Sequence, residues 1–539
     1  MAEVNKVDNV AKASIAKIND VPVANIEAIN QTPWTALPQP FVMEIDSTNL
    51  TAQTMTLGLT STGTYDFDVD WGDGSPVTTI TVYNSPDATH VYSASQKYTI
   101  TLQPNTATGI RGYDFNNVIS VRTAYTEIIS WGDVYIDLSQ SIFQNVNQLN
   151  WNTSTAGIPN FISKVMISSQ FRDADSLTAD LSGWGTISSP IAGTAQSLFQ
   201  LANPASSPNA NFVGQFTSCL NAFRDSTYNA PLDNWDVSSV TDFTACFYNA
   251  TLFNQNINSW NTSSATSIRQ MFFNAERFNQ PLNSWNTSNV TTMAQMFQNC
   301  DDFNQNIGSW NTGNVTNMAS MFLSALSFNQ PIGTWDVSSV TTMVQMFMNS
   351  GVGAINLNAW NTSNVTDMHR MFRICSFSGN IDSWNVSSVT RMSEMFLNST
   401  TFRGTLGSWN TVSLTNMQST FQGTSNNPNL DLRNWDVSNV VNFFGAFQFS
   451  SGYSFPLNLW QVYSATNMTQ MVGTNASFTD QQCEDAFVAW SNDPLTATNV
   501  NATNIWGGRT YPIGGAMETA TIKLTGATYN WTVTGLTFV

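Results

Sequence analysis

The side chains best able to do chemistry in this chain are a run of aspartates, two histidines and five cysteines. Asp66, Asp68, Asp70 and Asp73 supply the hard oxygen donors that calcium prefers. An EF-hand loop would place a Glu eleven residues after Asp66, where Val77 stands. Alternation along Tyr65-Asp66-Phe67-Asp68-Val69-Asp70 puts the first three carboxylates on one solvated strand face. Calcium held by Asp70 and Asp73 is therefore the narrower reading, and a turn with exposed carboxylates the broader one. His90 and His369 lack the second His or Cys that a transition-metal site needs. Cys219, Cys246, Cys300, Cys375 and Cys483 make an odd count without a CxxC pair, so free, buried thiols are expected. No GxSxG, HExxH or GxxxxGK[ST] motif occurs, and the expectation is a non-enzyme with no cofactor.

Composition narrows the partners. Of 539 residues only 10% are charged, against roughly 25% in an ordinary domain. Eighteen basic and 36 acidic residues leave a net charge of −18, too few cations in one place to displace counterions from nucleic acid. No apolar run reaches the ~20 residues of a membrane span. Eighteen Trp and 34 Phe can build a large core.

What positions these residues is a repeat. Tryptophans fall at 235, 260, 285, 310, 335, 360, 384, 409, 435 and 460, a period of 25 residues broken once by 24 and once by 26. Three residues before each is Leu or Ile, five after is mostly Val, eight after is Met, Phe or Ile, and twelve after is Phe in nine of ten units. Pro281-Leu282-Asn283 reads as a short strand with Leu282 inward. Val290, Met293, Met296 and Phe297 read as one face of a short helix capped by Thr287 and Ser288, with His369 on the solvent side of its counterpart. The methionines are core, and Asn-x-Ser/Thr sequons such as Asn261 and Asn289 coincide with the capping turn. One such unit buries too little to order itself, so units must stack. At ~4.8 Å per strand, Cys300 and Cys375, three units apart, would lie ~14 Å from each other, beyond disulfide reach.

The expected fold class is an α+β repeat solenoid of leucine-rich-repeat type, one short strand and one short helix per unit. Residues 1–39 read as an extended arm, 40–104 as a small β-sandwich, 105–478 as the solenoid and 479–539 as a small α/β cap. Regular units occupy about 231–478. Phe143, Leu149, Trp151, Phe171, Leu177, Leu181 and Trp184 mark degenerate units upstream. Asp480–Trp490 is an amphipathic helix and Tyr529–Val539 is strand-like.

The unit W-[ND]-[TV]-S-x-V-T-x-M-x-x-M-F followed by F-N-Q resembles the repeat of BspA-like leucine-rich-repeat surface proteins. Asp70-Trp71-Gly72-Asp73-Gly74, His90-Val91-Tyr92 and Tyr98-Thr99-Ile100 are similar to a polycystic-kidney-disease (PKD-like) β-sandwich. The resemblance spans roughly residues 40–539 and implies surface display and adhesion without catalysis.

Function is read accordingly. The outward positions beside the inward Leu/Ile, namely Asn256, Asn258, Pro281, Asn283, Asn306, Gly308, Pro331 and Gly333, form a neutral surface suited to a host-surface glycan or a flat protein. With no export signal at the start and no disulfides expected, the leading expectation is a virion protein: a tail fibre, whisker or capsid decoration. Its N-terminal arm would dock to other virion proteins, and the chain could assemble as a homo-oligomer. A bacterial cell-surface adhesin is the second reading. A glycan-active enzyme is the third, and it would need a carboxylate pair in a cleft.

Overall fold

The computed structural model describes residues 38–106, 110–137 and 216–539, the last without 234, 426, 428–429, 453–454 and 474–477. Short pieces are added at 17–18, 21–22, 143–144, 146, 149–151, 160–163, 172, 193–194 and 196–200. Strands β1 (Lys17–Ile18) and β2 (Val21–Pro22) pair antiparallel. The remainder of the expected arm up to residue 37 lies outside the described residues, as do Phe171, Leu177, Leu181 and Trp184.

Two sheets follow. Their strands are drawn from β3 (Phe41–Asp46), β4 (Thr54–Thr56), β5 (Leu59–Tyr65), β6 (Phe67–Asp70), β7 (Thr78–Ile80), β8 (Thr89–Val91), β9 (Lys97–Pro104), β10 (Ile110–Tyr113), β11 (Tyr125–Ser130), β12 (Tyr135–Asp137), β13 (Asn150–Trp151) and β14 (Asn160–Ser163). One sheet has the order β13-β11-β3-β9-β6-β7 and the other β14-β12-β10-β5, while β4 and β8 form a separate pair. Alternation buries Phe41, Met43 and Ile45 of β3 and Phe67 and Val69 of β6. Tyr113 of β10 joins the sheets, its ring 5.4 Å from Phe41 and its hydroxyl 3.2 Å from that of Tyr125. The alternating stretch from Tyr65 to Asp70 is not one strand: the chain passes from β5 to β6, in different sheets, at Asp66. Nor do the sheets stop at residue 104. β10 returns to pair with β5 and β11 with β3, because buried Phe115, Tyr125 and Trp131 are needed to complete this core. β12, β13 and β14 then join in parallel, so parallel pairing begins within the sheets.

The repeats form one parallel ladder. It begins with β15 (Gly193–Thr194) and β16 (Phe216–Ser218) and continues by one-residue bridges through Asp242, Ser267, Thr292, Asn317, Thr342, Asp367, Arg391, Asn416, Asn442 and Asn467. Asn467 bridges Asn501 of β17 (Asn501–Ala502). The remaining strands are β18 (Arg509–Tyr511), β19 (Thr532–Val533) and β20 (Leu536–Phe538); β17 pairs with β19 and β18 with β20, both in parallel. Helices α1 (Asp480–Asn492) and α2 (Ala516–Thr525) cover this end, α1 opening on a Thr479/Gln482 capping box.

Two expectations about the unit are corrected here. The bridge falls seven residues after each Trp, at Thr292 rather than at Pro281–Asn283. Leu282 instead opens a turn closed by the Trp285 N–H at 3.2 Å. The helix expected over Val290–Phe297 is also absent. Among the described residues of 216–478 the helical structure is a single 3-10 turn, Leu457–Leu459. Gln295 (φ 60) and Asn299 (φ 55) are left-handed, as are their counterparts along the stack, and this prevents a helical run. The N–H groups of Met293, Gln295, Phe297 and Asn299 donate to carbonyls of Asn317, Ala319, Met321 and Leu323 in the next unit, at 2.8–3.1 Å. Thr287 caps no helix: its hydroxyl donates to the Asn311 carbonyl of the next unit at 2.8 Å. His369 is buried rather than on the solvent side, with Nδ1 2.8 Å from the Ser393 carbonyl oxygen. Burial, with Arg391 and Arg370 nearby, pushes its pKa below the usual histidine value.

Packing along the stack is an aromatic column. Successive indoles from Trp260 to Trp435 lie 6.0–6.5 Å apart and within 9° of parallel. Each indole N–H reaches back to the preceding unit, as Trp310 does to the Leu282 carbonyl at 2.9 Å. Trp490 of α1 continues the series, donating to the Trp460 carbonyl at 2.9 Å. Phe297 stacks on Phe303 of its own unit at 3.9 Å and on Phe322 of the next at 5.7 Å. The F-N-Q run builds a second ladder: the Asn304 N–H and Gln305 Nε2 both donate to Asn279 Oδ1, at 3.0 and 2.9 Å. All five cysteines are buried free thiols, and Cys300 Sγ lies 3.0 Å from the Ala275 carbonyl.

Two substitutions test this construction. Trp310→Phe keeps a stacked ring and leaves the Leu282 carbonyl only its turn bond, so it should cost about 1–2 kcal/mol in urea unfolding, against about 3–5 kcal/mol for Trp310→Ala. Ile374 holds φ 53 with 46% of its surface exposed, at the position where Asn274 and Asn299 stand. Ile374→Asn should therefore stabilise by about 1 kcal/mol; a lower melting temperature for this variant would contradict the account.

Candidate functional site

The neutral outward positions lie on turns. Leu282–Trp285, Ile307–Trp310 and Ile332–Trp335 each close by an N–H to carbonyl bond of 3.1–3.2 Å, and their central residues face solvent. Where these corners meet there is a groove of about 590 Å³ lined by Pro281, Asn283, Gln305, Asn306, Gly308, Ser309, Pro331 and Thr334. Five of the eight expected residues line it: Pro281, Asn283, Asn306, Gly308 and Pro331. Asn256 and Asn258 lie one unit earlier and brace its edge. Asn256 Oδ1 accepts from the Asn258 N–H, and Asn258 Nδ2 donates to Asn283 Oδ1 at 3.1 Å. Gly333 does not line the groove. A Cβ there would come within 2.2 Å of the Asn356 carbonyl oxygen, so its role is close backbone approach.

Gln305, Ser309 and Thr334 also line the groove and fall outside the expected set, because in a strand alternate residues point away from solvent. In a turn both central residues are exposed, and the small hydroxyl-bearing residue before most tryptophans was the available signal. The side chains of the groove are held by their neighbours. Gln305 Nε2 donates to the Asn279 carbonyl and Oδ1, the Gly308 N–H donates to Asn306 Oδ1 at 2.9 Å, and the Thr334 hydroxyl donates to the Gly308 carbonyl at 3.0 Å. No lining side chain is charged.

Asp70 and Asp73 are each engaged in a turn of their own. Asp70 Oδ1 accepts from the Gly72 N–H at 2.9 Å and Asp73 Oδ1 from the Ser75 N–H at 3.0 Å. Asp73 Oδ2 lies 2.8 Å from His90 Nε2, and the His90 ring stacks on Trp71 at 5.0 Å. Among the described residues no three His, Cys, Asp or Glu side chains gather as metal ligands. Asp66 and Asp68 accept from Asn105 Nδ2, and Asp68 also from the Thr79 hydroxyl.

Burial alone would raise the Asp73 carboxyl, but the Ser75 hydrogen bonds and His90 hold it down to about 2 against an unfolded 3.8. A depressed carboxyl contributes stability that is fully present above pH 3.8 and lost as pH falls to about 2. Asp73→Asn should thus be less stable at neutral pH, and its gap to the unsubstituted protein should close across that window in acid-unfolding curves followed by tryptophan fluorescence.

Among the described residues no helix is long and apolar enough to cross a membrane. No curated protein and no solved structure matches the chain. The stacked repeats match a family model in three overlapping stretches, residues 217–313, 282–380 and 373–485, and that family is described as "Mycoplasma protein of unknown function, DUF285".

Proposed function

We propose that the chain is a non-enzymatic display and adhesion protein, a solenoid of BspA-like leucine-rich-repeat type with a PKD-like N-terminal module, carried on a virion as a tail fibre, whisker or capsid decoration. The observation that carries this reading is the division of labour within a unit. The Trp, Phe, Met and Val that recur in register are buried in the stack, while the turns at the groove bear small neutral residues fixed by hydrogen bonds to their neighbours. Such a body holds a surface in place. Five buried free thiols support assembly in a reducing compartment. The N-terminal segment docks to the particle and the groove faces a host surface.

The match to a Mycoplasma repeat family favours a second reading, an adhesin on a cell surface. Mass spectrometry and cryo-EM of purified particles from the producing culture separate the two. The chain should appear on particles in fixed stoichiometry; its absence there, with antibody labelling on intact cells, would replace the virion reading with the cellular one.

A further inference from the structure

We propose that the groove formed by Pro281, Asn283, Gln305, Gly308, Pro331 and Thr334 binds a short neutral oligosaccharide, an inference that rests on the display reading above. The chemistry of the lining selects this class. In a chain of net charge −18 the groove carries no ionised side chain, so a charged ligand would find no counter-charge. What it offers is amide and hydroxyl groups fixed at one end and open at the other. Gln305 spends Nε2 on Asn279 and keeps Oε1, Asn283 spends Oδ1 on Asn258 and keeps Nδ2, and Asn306 spends Oδ1 on Gly308 and keeps Nδ2. Thr334 donates to Gly308 and keeps oxygen lone pairs.

These donors and acceptors match sugar hydroxyls, which need both. Because neighbouring units already hold the side chains, little rotamer entropy is left to lose on binding, where a loose side chain would cost about 0.5–1.5 kcal/mol. The Pro281 and Pro331 rings supply apolar surface for the C–H faces of a sugar. The volume of about 590 Å³ falls in the range of about 300–1,000 Å³ typical of small-ligand sites.

Gly308 opens the groove. The same position holds Asn258 and Asn283 in the two preceding units, Gly333 in the next and Asn358 in the one after. A Cβ at Gly308 would also lie 2.5 Å from the Pro331 carbonyl oxygen. An extended peptide is disfavoured because the backbone groups it would pair with are taken. The Gly308 N–H is held by Asn306, its carbonyl by Thr334, and the Ile307 carbonyl by the Trp310 N–H and the Trp335 indole.

The full chain should be screened on an array of neutral and charged oligosaccharides, and the best neutral hit measured by titration calorimetry. Thr334→Trp, on an exposed wall, plugs the groove; Asn283→Asp adds a charge at nearly constant volume. Each should weaken binding by about tenfold or more in a chain that still unfolds cooperatively, Thr334→Trp at a somewhat lower melting temperature because it gives up the bond to the Gly308 carbonyl, while raising salt to about 1 M should leave the affinity of the unsubstituted chain within about twofold. Failure of every neutral oligosaccharide to bind, or undiminished binding by both variants, would overturn the assignment. Particles that carry the chain without sugar binding would sink the groove proposal alone. Sugar binding by a chain absent from particles would sink the virion reading alone.

Discussion

Registration between neighbouring units governs this structure. A unit of the stack satisfies only part of its polar groups by itself: the indole N–H of Trp285 belongs to the Ile257 carbonyl, and the N–H of Gln295 to the Ala319 carbonyl. A buried N–H without a partner costs about 1–3 kcal/mol, so every unit is stable only between correctly placed neighbours. The period of 25 residues follows from this. Adding or removing a residue between Trp and the bridge would move aromatic rings, bridge and Asn/Gln ladder out of step together.

Apolar spacing disclosed the period and the core but not the local conformation. Val290, Met293, Met296 and Phe297 are buried as their spacing implies. That spacing, however, is met as well by consecutive turns as by a helix, and apolar periodicity is blind to backbone handedness. The informative residues were the polar ones: Asn recurs fourteen residues after the tryptophan (Asn249, Asn274, Asn299), where φ is positive. The groove was half visible for the same reason. Its prolines and asparagines stood out as outward residues, whereas Ser309 and Thr334 were hidden by the assumption of alternation. Hydrogen bonds spanning 24 to 28 residues have no signature inside one unit, and only comparison of units reveals why F-N-Q persists.

A network of ion pairs between neighbouring units lies where the period shortens. Between Trp360 and Trp384 the interval is 24 residues. There Arg370 makes a two-pronged contact with Glu394 at 2.8 and 2.9 Å, Arg373 lies 3.4 Å from the same carboxylate, and Arg391 stands 3.8 Å from Asp367. Neutral ladders of Thr and Asn accept almost any unit as a neighbour. An Arg that meets a Glu only in one juxtaposition does not, and this distinguishes the native order from a slipped one.

Along this edge of the stack each unit directs three or four backbone N–H groups at its successor, which gives the ladder an arrow. The last of these donors, the N–H groups of Met468, Gln470 and Val472, go to the carbonyls of Asn501, Thr503 and Ile505. The terminal module therefore plugs an edge of forward-pointing N–H groups and returns donors of its own, the Asn501 N–H to the Thr466 carbonyl and the Trp490 indole to the Trp460 carbonyl. Deprived of it, those donors would lie bare, an open ladder edge of the kind that templates pairing with another chain.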